Sequence, residues 1–277
     1  MKLNFSKVNP AGNVTIYIWD PVPEKMHAVV SQQMLAVCHL GGEQVGFVQQ
    51  PRGNWKKATV RLQMMGGEFC GNASRGLAAL LLDRGFPGFE QIGEMSHLSL
   101  EVSGSKELID TWVKSLPNGK YWSECTVPLP LSTKNLQVEV NHRQYKATMV
   151  DFPGISHLVV LELAPSKDVF NQISSQFPRE AGRDAFGVMF YQLEKDSMTP
   201  LVYVKSTNSL VWEGSCGSGS VAVAVSRAIA NDKSISNLPL QQPEGLILVD
   251  VDYSDGSFLN ARIKGEVEFI AEGTVFF

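Results

Sequence analysis

The amino-acid sequence predicts an α+β fold made of two similar halves, and three observations support this prediction. Short apolar or β-branched runs are frequent along the 277 residues, whereas long helical patterns are few. The two best helical patterns each follow a Cys-Gly motif, one at Cys70 and one at Cys216. These motifs lie 146 residues apart, about half the chain, which is the spacing expected of a duplication.

The individual elements follow from periodicity and from turn residues. Four segments have helical patterns, and Gly85 provides a normal stop for the second. The predicted helices are Pro23–Val37, Asn72–Arg84, Lys167–Phe177 and Ser218–Asp232. The predicted strands are Val14–Trp19, Val45–Val48, Thr59–Met64, Leu98–Val102, Val138–Val140, Leu158–Leu163, Val188–Leu193, Leu201–Val204, Leu246–Val251 and Val267–Ala271.

Length and composition limit the classes of protein. A chain of 277 residues fits about two domains, and the Pro-, Ser- and Thr-rich segment 118–134 predicts the boundary between them. The net charge is −4 and no Lys/Arg-rich run occurs, so neither nucleic acid nor an anionic membrane is an expected partner. The N-terminal residues lack the pattern of a signal peptide, and no apolar stretch is long enough to span a membrane. We expect a soluble cytoplasmic protein with reduced thiols.

The sequence offers no support for nucleotide or metal binding. No Gly-x-Gly-x-x-Gly motif lies between a strand and a helix, and no phosphate-binding loop occurs. None of the four cysteines belongs to a Cys-x-x-Cys pair, and the histidines lack metal-ligand spacing. We therefore predict no cofactor and no metal. Cys38 and Cys125 are expected to be buried packing residues.

The repeated motif points to acid–base chemistry. A cysteine at a helix start lies near unpaired N–H groups and the positive end of the helix dipole, which stabilise a thiolate. The following glycine lets a ligand approach, and the N–H groups can bind a carboxylate. If the two halves pack face to face, Cys70 and Cys216 lie on opposite sides of one small anion. That arrangement suits inversion of a carbon next to a carboxylate, although a disulfide between the two cysteines is an alternative.

These motifs resemble the diaminopimelate epimerase superfamily of cofactor-independent racemases, and the resemblance covers nearly the whole chain. Its signatures are Asn9-Pro10-Ala11-Gly12-Asn13, Glu43-Gln44, Phe69-Cys70-Gly71-Asn72 and Ser215-Cys216-Gly217-Ser218-Gly219. The resemblance implies two pseudo-symmetric domains, each a β-barrel around a central helix. It also implies that the tail returns to the first domain, giving residues 1–122 plus 265–277 and residues 123–264 as the two domains. A homodimer is implied as well.

The resemblance further assigns roles to individual residues. Cys70 and Cys216 would be the two acid–base residues. Asn13, Gln44 and Asn72 would contact the amino-acid head of the substrate. The backbone of Gly71, Gly217 and Ser218 would contribute to the carboxylate site.

Departures from the family pattern bear on the substrate. Diaminopimelate epimerases have Glu-Arg where this chain has Thr207-Asn208, and without that Arg a second carboxylate has no bidentate partner. Glu43 and Glu213 instead make the site more acidic, and this set is similar to histidine racemases that supply D-histidine for opine-type metallophores. A carboxylate such as Glu43 suits an imidazole N–H or an imidazolium. For Glu213 the competing interpretation is a carboxylate that serves the next helix start.

The sequence is also compatible with other functions, and it suggests roles for several further residues. The alternatives are a racemase or epimerase of another amino acid such as diaminopimelate, an isomerase of the phenazine-biosynthesis type, a non-catalytic amino-acid-binding relative and a redox-sensing dithiol. His157 matches a family position near the site, but a structural role is favoured. Trp212 is a candidate pocket wall, Trp55 a packing or surface aromatic, and Lys56-Lys57 a solvated pair.

Overall fold

The computed structural model describes residues 1–53, 58–205 and 208–277, whose contacts divide into two units. The first unit contains Met1–Thr126 and Lys264–Phe277, and the second contains Val127–Ile263. Trp55, the Lys56-Lys57 pair and Thr207 lie outside the described residues.

The first unit is a strand-rich layer around one buried helix. Its strands are β1 (Lys2–Asn9), β2 (Thr15–Ile18), β3 (Gln44–Gln49), β4 (Val60–Met64), β5 (Glu90–Ile92), β6 (Met95–Val102), β7 (Ile109–Ser115) and β8 (Tyr121–Thr126). Its helices are α1 (His27–Leu35), preceded by a 3₁₀ turn at Glu24–Met26, and α2 (Gly71–Asp83). The alternating burial along β4 shows the principle, because Val60, Leu62 and Met64 face the core while the residues between them are partly exposed.

The strand pairings of the first unit form a closed circuit. β1 pairs with β2, β2 with β3, β3 with β4, and β4 with β6. β6 continues to β7 and β7 to β8, and β5 is added on the side of β6. The circuit closes through β17 (Ser257–Phe276), which pairs with both β8 and β1.

Helix α2 is buried along most of its length, because residues Gly76–Leu82 are apolar and the polar side chains of Asn72, Ser74 and Arg75 are hydrogen bonded inside the protein. All residues from Gly71 to Leu81 are buried, and the helix packs against β8, β7, β6 and β2. Ser74 satisfies its own hydroxyl by donating to the Cys70 carbonyl at 2.8 Å. The four strands that contact the helix fix the position of its N-terminus, where Cys70 lies.

The second unit repeats this plan with a second buried helix. Its strands are β9 (Ser132–Val140), β10 (Arg143–Phe152), β11 (Ile155–Leu161), β12 (Ala185–Gln192), β13 (Ser197–Val204), β14 (Ser209–Trp212), β15 (Ile235–Gln241) and β16 (Leu246–Ser254). Its helices are α3 (Lys167–Ser174), α4 (Pro178–Ala181) and α5 (Gly217–Asn231), with a 3₁₀ turn at Leu193–Lys195. Helix α5 packs against β16, β11, β15, β10 and β12.

The α+β class predicted from the sequence is confirmed, and all four predicted helices are present with ends shifted by a few residues. Periodicity did not predict β1, β5, β7, β8, β10, β14 and β15. Among the described residues no helix combines the length and the hydrophobicity needed to cross a bilayer.

The prediction that Cys38 and Cys125 are buried is confirmed for one of them and wrong for the other. Cys125 is buried on β8, as expected, whereas the prediction for Cys38 is wrong because its side chain is exposed. Cys38 lies in the turn that follows α1, where Val37 is also exposed. The chain has left the core at this turn, so a small apolar side chain there has no partner layer to pack against.

Candidate active site

Cys70 is the residue that caps the buried helix of the first unit. Its backbone is extended (φ −132°, ψ 109°), and its Sγ accepts a hydrogen bond from the backbone N–H of Ala73 at 3.4 Å. The side chain is partly exposed. The thiol therefore occupies the place of a helix N-cap, where backbone donors and the helix dipole favour negative charge.

Cys216 occupies the same place in the second unit. Its backbone angles (φ −123°, ψ 112°) match those of Cys70, and its Sγ accepts from the N–H of Gly219 at 3.4 Å. Ser220 donates to the Cys216 carbonyl as Ser74 donates to the Cys70 carbonyl. The two motifs that were paired on sequence alone thus share one local geometry.

Polar side chains link Cys70 to a carboxylate. Asn13, which is buried, lies with its Oδ1 at 3.9 Å from the Cys70 Sγ. The Nδ2 of Asn13 donates to Oε2 of Glu43 at 2.7 Å. The backbone N–H groups of Glu43 and Gln44 both donate to the Val14 carbonyl, which places the pair beside Asn13. Three predicted site residues, Asn13, Glu43 and Cys70, are therefore brought together.

Gln44 and Asn72 complete the polar surroundings in this unit. The Oε1 of Gln44 is buried and has no partner among the described residues. Asn72, the second residue of α2, is buried, and its Oδ1 accepts from a guanidinium N–H of Arg75 at 2.8 Å. Gly71 begins the helix, and its carbonyl accepts from the Cys125 thiol at 3.4 Å.

Cys216 lies between a carboxylate and a hydroxyl. Its thiol is hydrogen bonded to Glu213, and its Sγ is 3.7 Å from the Oγ of Ser218. Burial first, and then the charge of Glu213, raises the pKa of the Cys216 thiol, while bonds from Gly219 and Ser218 oppose this shift. The predicted residues Glu213, Gly217 and Ser218 thus all lie at the second helix start.

His157 joins this group through the helix. One ring nitrogen, Nε2, lies 2.8 Å from the Ser218 Oγ, while Nδ1 is buried without a partner among the described residues. Complete burial lowers the pKa of His157 to about 3, so the ring is neutral at ordinary pH. The structural role that the sequence favours for His157 is then to hold Ser218, whose hydroxyl contacts the Cys216 thiol.

Two further residues at the second helix start, Gln242 and Met189, were not identified from the sequence. Gln242 accepts from the backbone N–H of Cys216 at 2.7 Å and donates to Ser220 at 2.9 Å. Gly219 leaves room beside the thiol, because a Cβ there would lie 2.2 Å from the Met189 Sδ and 3.1 Å from the Cys216 Sγ. The glycine was visible in the motif, whereas nothing in the sequence linked Gln242 or Met189 to it.

The described residues contain no group of three or more His, Cys, Asp or Glu side chains arranged to hold a metal ion. What the two helix starts provide is a thiol, backbone N–H groups and amide or carboxylate partners. Such groups can move a proton and bind an anion.

Comparison with solved structures defines the fold. A hydroxyproline epimerase from Agrobacterium vitis superposes with a TM-score of 0.69 at 11% identity, covering 99% of this chain and 92% of that one. A probable proline racemase from Agrobacterium radiobacter K84 gives a TM-score of 0.67 at 12% identity, covering 98% and 92%. The chain therefore has the fold found in these isomerases.

Comparison with known sequences identifies the family of the chain. The model of the histidine racemase CntK N-terminal domain matches residues 2–276. A histidine racemase of Fusobacterium nucleatum subsp. nucleatum is 32% identical over 279 residues, covering 99% of this chain and 97% of the relative. One of Staphylococcus aureus is 27% identical over 281 residues, covering 99% and 97%. The protein is an isomerase of the amino-acid racemase class. Within that class, the chain belongs to the histidine racemase family.

Proposed function

We propose that this racemase interconverts L- and D-histidine without a cofactor, and that Cys70 and Cys216 are its two catalytic bases. The observation that carries the proposal is the matched geometry of the two cysteines. Each cysteine caps the buried helix of its own unit with nearly the same backbone angles. In each, the Sγ accepts a hydrogen bond from the backbone N–H three residues later in the chain. A reaction that needs one acid–base group on each face of the substrate would use both thiols.

In the proposed reaction one thiolate removes the proton from Cα of histidine and becomes a thiol. The other thiol delivers its proton to the opposite face of the resulting carbanion and becomes a thiolate. The Cα–H bond is weakly acidic, so the carbanion requires strong electrostatic stabilisation. The N–H groups and dipoles of the two helix starts, at Gly71 and at Gly217 and Ser218, would provide part of it by binding the substrate carboxylate.

The remaining site residues would bind the rest of the amino acid. Asn13, Asn72 and Gln44 carry amide groups at the first helix start, and the buried Oε1 of Gln44 is an available acceptor. Glu43 is a partly buried carboxylate held by Asn13 and suits the imidazole of histidine. Glu213 contacts the Cys216 thiol, which supports a role in setting the protonation of that thiol in addition to any contact with substrate.

The experiment is incubation of the purified protein with L-histidine in D₂O without added cofactor. We expect loss of optical activity together with deuterium incorporation at Cα. A panel containing diaminopimelate, proline, alanine and lysine separates histidine from other substrates. Absence of exchange with every amino acid of the panel would refute the proposal, and faster turnover of another member would replace histidine as the substrate.

The proposed function extends to the compartment, the oligomeric state and the pathway of the protein. The protein would act in the cytoplasm, where both thiols stay reduced, it would form a homodimer, and its D-histidine would be consumed in the synthesis of an opine-type metallophore. Cell fractionation and sedimentation analysis test the first two. Loss of the metallophore on deletion of the coding gene tests the third.

A further inference from the structure

A fully buried arginine lies beneath the first catalytic helix start. Arg75 has no exposed surface, and it is the one charged residue in the otherwise apolar or small segment from Gly71 to Leu82. One of its nitrogens, Nη2, donates to the Asn72 Oδ1 at 2.8 Å and to the Pro10 carbonyl at 3.3 Å. Its Nε and Nη1 have no partner among the described residues. A buried cation with unused donors is costly unless an anion compensates it.

Among residues 1–53, 58–205 and 208–277, no carboxylate forms an ion pair with Arg75. In the described part of this unit, the titratable groups that contact the helix start are Tyr17 through Ala73, Cys125 through Gly71 and Glu43 through Asn13, and Glu68 lies in the loop before Cys70. Burial raises the pKa of Tyr17 well above its usual value and that of Cys125 to about 12, so both stay neutral. Burial also raises the pKa of Glu68.

The Glu43 carboxylate is bound by Asn13, and among the described residues it forms no ion pair with the guanidinium, so the anion that Arg75 can meet is a thiolate at Cys70. Burial lowers the pKa of Arg75, and a negative charge on Cys125, Cys70 or Tyr17 would oppose that shift; burial keeps Cys125 and Tyr17 neutral, which leaves Cys70. The attraction is mutual, so the guanidinium favours a thiolate at Cys70 to the same extent. An arginine remains cationic under these conditions because its pKa starts so high. Its charge is therefore permanent and acts without contacting substrate.

The second unit lacks this charge at the matching position. Arg75 is five residues beyond Cys70, and five residues beyond Cys216 stands Val221, which is fully buried. Among the described residues of its own unit, the groups that face Cys216 are the carboxylate of Glu213, the hydroxyl of Ser218 and, through Ser218, a neutral His157. A carboxylate beside a buried thiol opposes ionisation of that thiol.

We propose that Arg75 is a positioning residue that makes the resting enzyme asymmetric, with Cys70 as the thiolate and Cys216 as the thiol. The inference rests on the proposed two-cysteine function and deepens it. In the first turnover the Cys70 thiolate accepts the Cα proton and the Cys216 thiol donates one to the opposite face. The enzyme is then left with a Cys70 thiol and a Cys216 thiolate. It returns to rest when Cys216 gains a proton from solvent and Cys70 loses one, or by turnover in the reverse direction.

Arg75 also fixes the orientation of Asn72. Because the guanidinium binds Oδ1, the amide group of Asn72 has its NH₂ directed away from the arginine. A donor is the group that a substrate carboxylate requires. Arg75 thus acts on the site through two neighbours, Cys70 by charge and Asn72 by hydrogen bonding.

The test is the pH dependence of alkylation by iodoacetamide, followed separately at Cys70 and Cys216 by peptide mass spectrometry. Only a thiolate reacts appreciably, so the pH midpoint reports ionisation, while differences in exposure change the rate alone. In the wild-type protein we expect the Cys70 midpoint to lie below that of Cys216. In Arg75→Met we expect it to rise by about one pH unit or more, with about tenfold slower alkylation below the midpoint. The Cys216 midpoint should stay unchanged.

The matched control is Arg84→Met at the end of the same helix. Arg84 is exposed, with its guanidinium 4.0 Å from the centre of the Trp19 ring, and it pairs with Glu272, so its loss removes a helix cation but not the buried one. An unchanged Cys70 midpoint in folded Arg75→Met would overturn the proposal, as would a shift of the same size in Arg84→Met. If Arg75→Met does not fold, a wild-type Cys70 midpoint at or above that of Cys216 overturns it alone. These midpoints do not depend on turnover, whereas failure of the proposed function appears as absent Cα exchange in the wild-type protein.

Discussion

Asn13 connects Cys70 to Glu43: its Oδ1 lies 3.9 Å from the thiol sulfur and its Nδ2 donates to the Glu43 carboxylate at 2.7 Å. The carboxylate thereby turns the amide oxygen, an acceptor, toward the cysteine, so the Arg75 guanidinium must outweigh this contact for Cys70 to rest as the thiolate. A residue 30 positions beyond Asn13 in the chain therefore sets the polarity next to the first thiol. The same carboxylate is our candidate partner for the imidazole of the substrate.

The first prediction concerns the charge of Glu43. Glu43→Gln keeps the shape and still offers an oxygen to Asn13, but it cannot pair with an imidazolium. We expect kcat/KM for histidine to fall about tenfold to a hundredfold, because a hydrogen bond to a charged group typically contributes about 1.5–3 kcal/mol and each 1.4 kcal/mol corresponds to about a factor of ten. Steady-state kinetics measure this, with Glu90→Gln on the exposed strand β5 as the control. Equal kcat/KM in Glu43→Gln and wild type would show that the carboxylate does not bind the substrate.

The second prediction concerns Glu213 and the protonation of Cys216. Since the carboxylate helps to raise the pKa of this thiol, Glu213→Gln should lower it. A donor thiol must be protonated, so the alkaline limb of the kcat/KM profile should move to lower pH. The pH–rate profile measures the shift, and Glu244→Gln, an exposed carboxylate of the same unit, is the control. A shift to higher pH would contradict the assignment of Cys216 as the resting acid.

The third prediction concerns the neutral, buried His157. Its pKa is about 3 in the folded protein and about 6.5 when unfolded, so the unfolded chain binds more protons between these values. The contribution of His157 to the free energy of unfolding is fully present above pH 6.5. It decreases as the pH falls and is lower by about 2 kcal/mol at pH 5. Urea unfolding at several pH values measures the slope. His157→Asn should flatten it, whereas His142→Asn, at an exposed position, should not; equal slopes in all three proteins would show that His157 is not neutral by burial.

The fourth prediction concerns the space beside Cys216. In Gly219→Ala the new Cβ collides with the Met189 Sδ and crowds the thiol, so we expect a loss of about 1–3 kcal/mol of stability and lower activity. Shortening the neighbour in Gly219→Ala/Met189→Ala removes the collision and should recover part of the activity. Chemical denaturation and turnover measure both effects. A single variant with wild-type activity would mean that the glycine is not required for space.

Local features of the site were predictable from the sequence because their causes are local. The helix starts at Gly71 and Gly217 follow from the Cys-Gly motifs and the apolar runs behind them, and both cysteines lie where that pattern placed them. Pairing across strands was not predictable in this way. Asn13 and Glu43 lie 30 residues apart and His157 and Ser218 lie 61 apart, so only the fold brings them together.

The strands that were missed have a similar explanation. β7 and β8 contain Asp, Lys, Glu and Ser among their apolar residues, because only one face of each packs on α2. Arg75 is the one charged residue between Gly71 and Leu82, a feature of the sequence that periodicity alone does not explain. Its complete burial became evident only with the surrounding strands in place.

The central claim is that two thiols act on opposite faces of one carbon. Its most direct test is Cα deuteration of L- and D-histidine, followed separately by NMR in D₂O with Cys70→Ser and Cys216→Ser. Each variant retains one thiol, so we predict that neither racemises histidine. We also predict that each exchanges the Cα proton of one enantiomer only, without inversion, and that the favoured enantiomer is opposite in the two variants. Full racemisation by either single variant would contradict the two-base account.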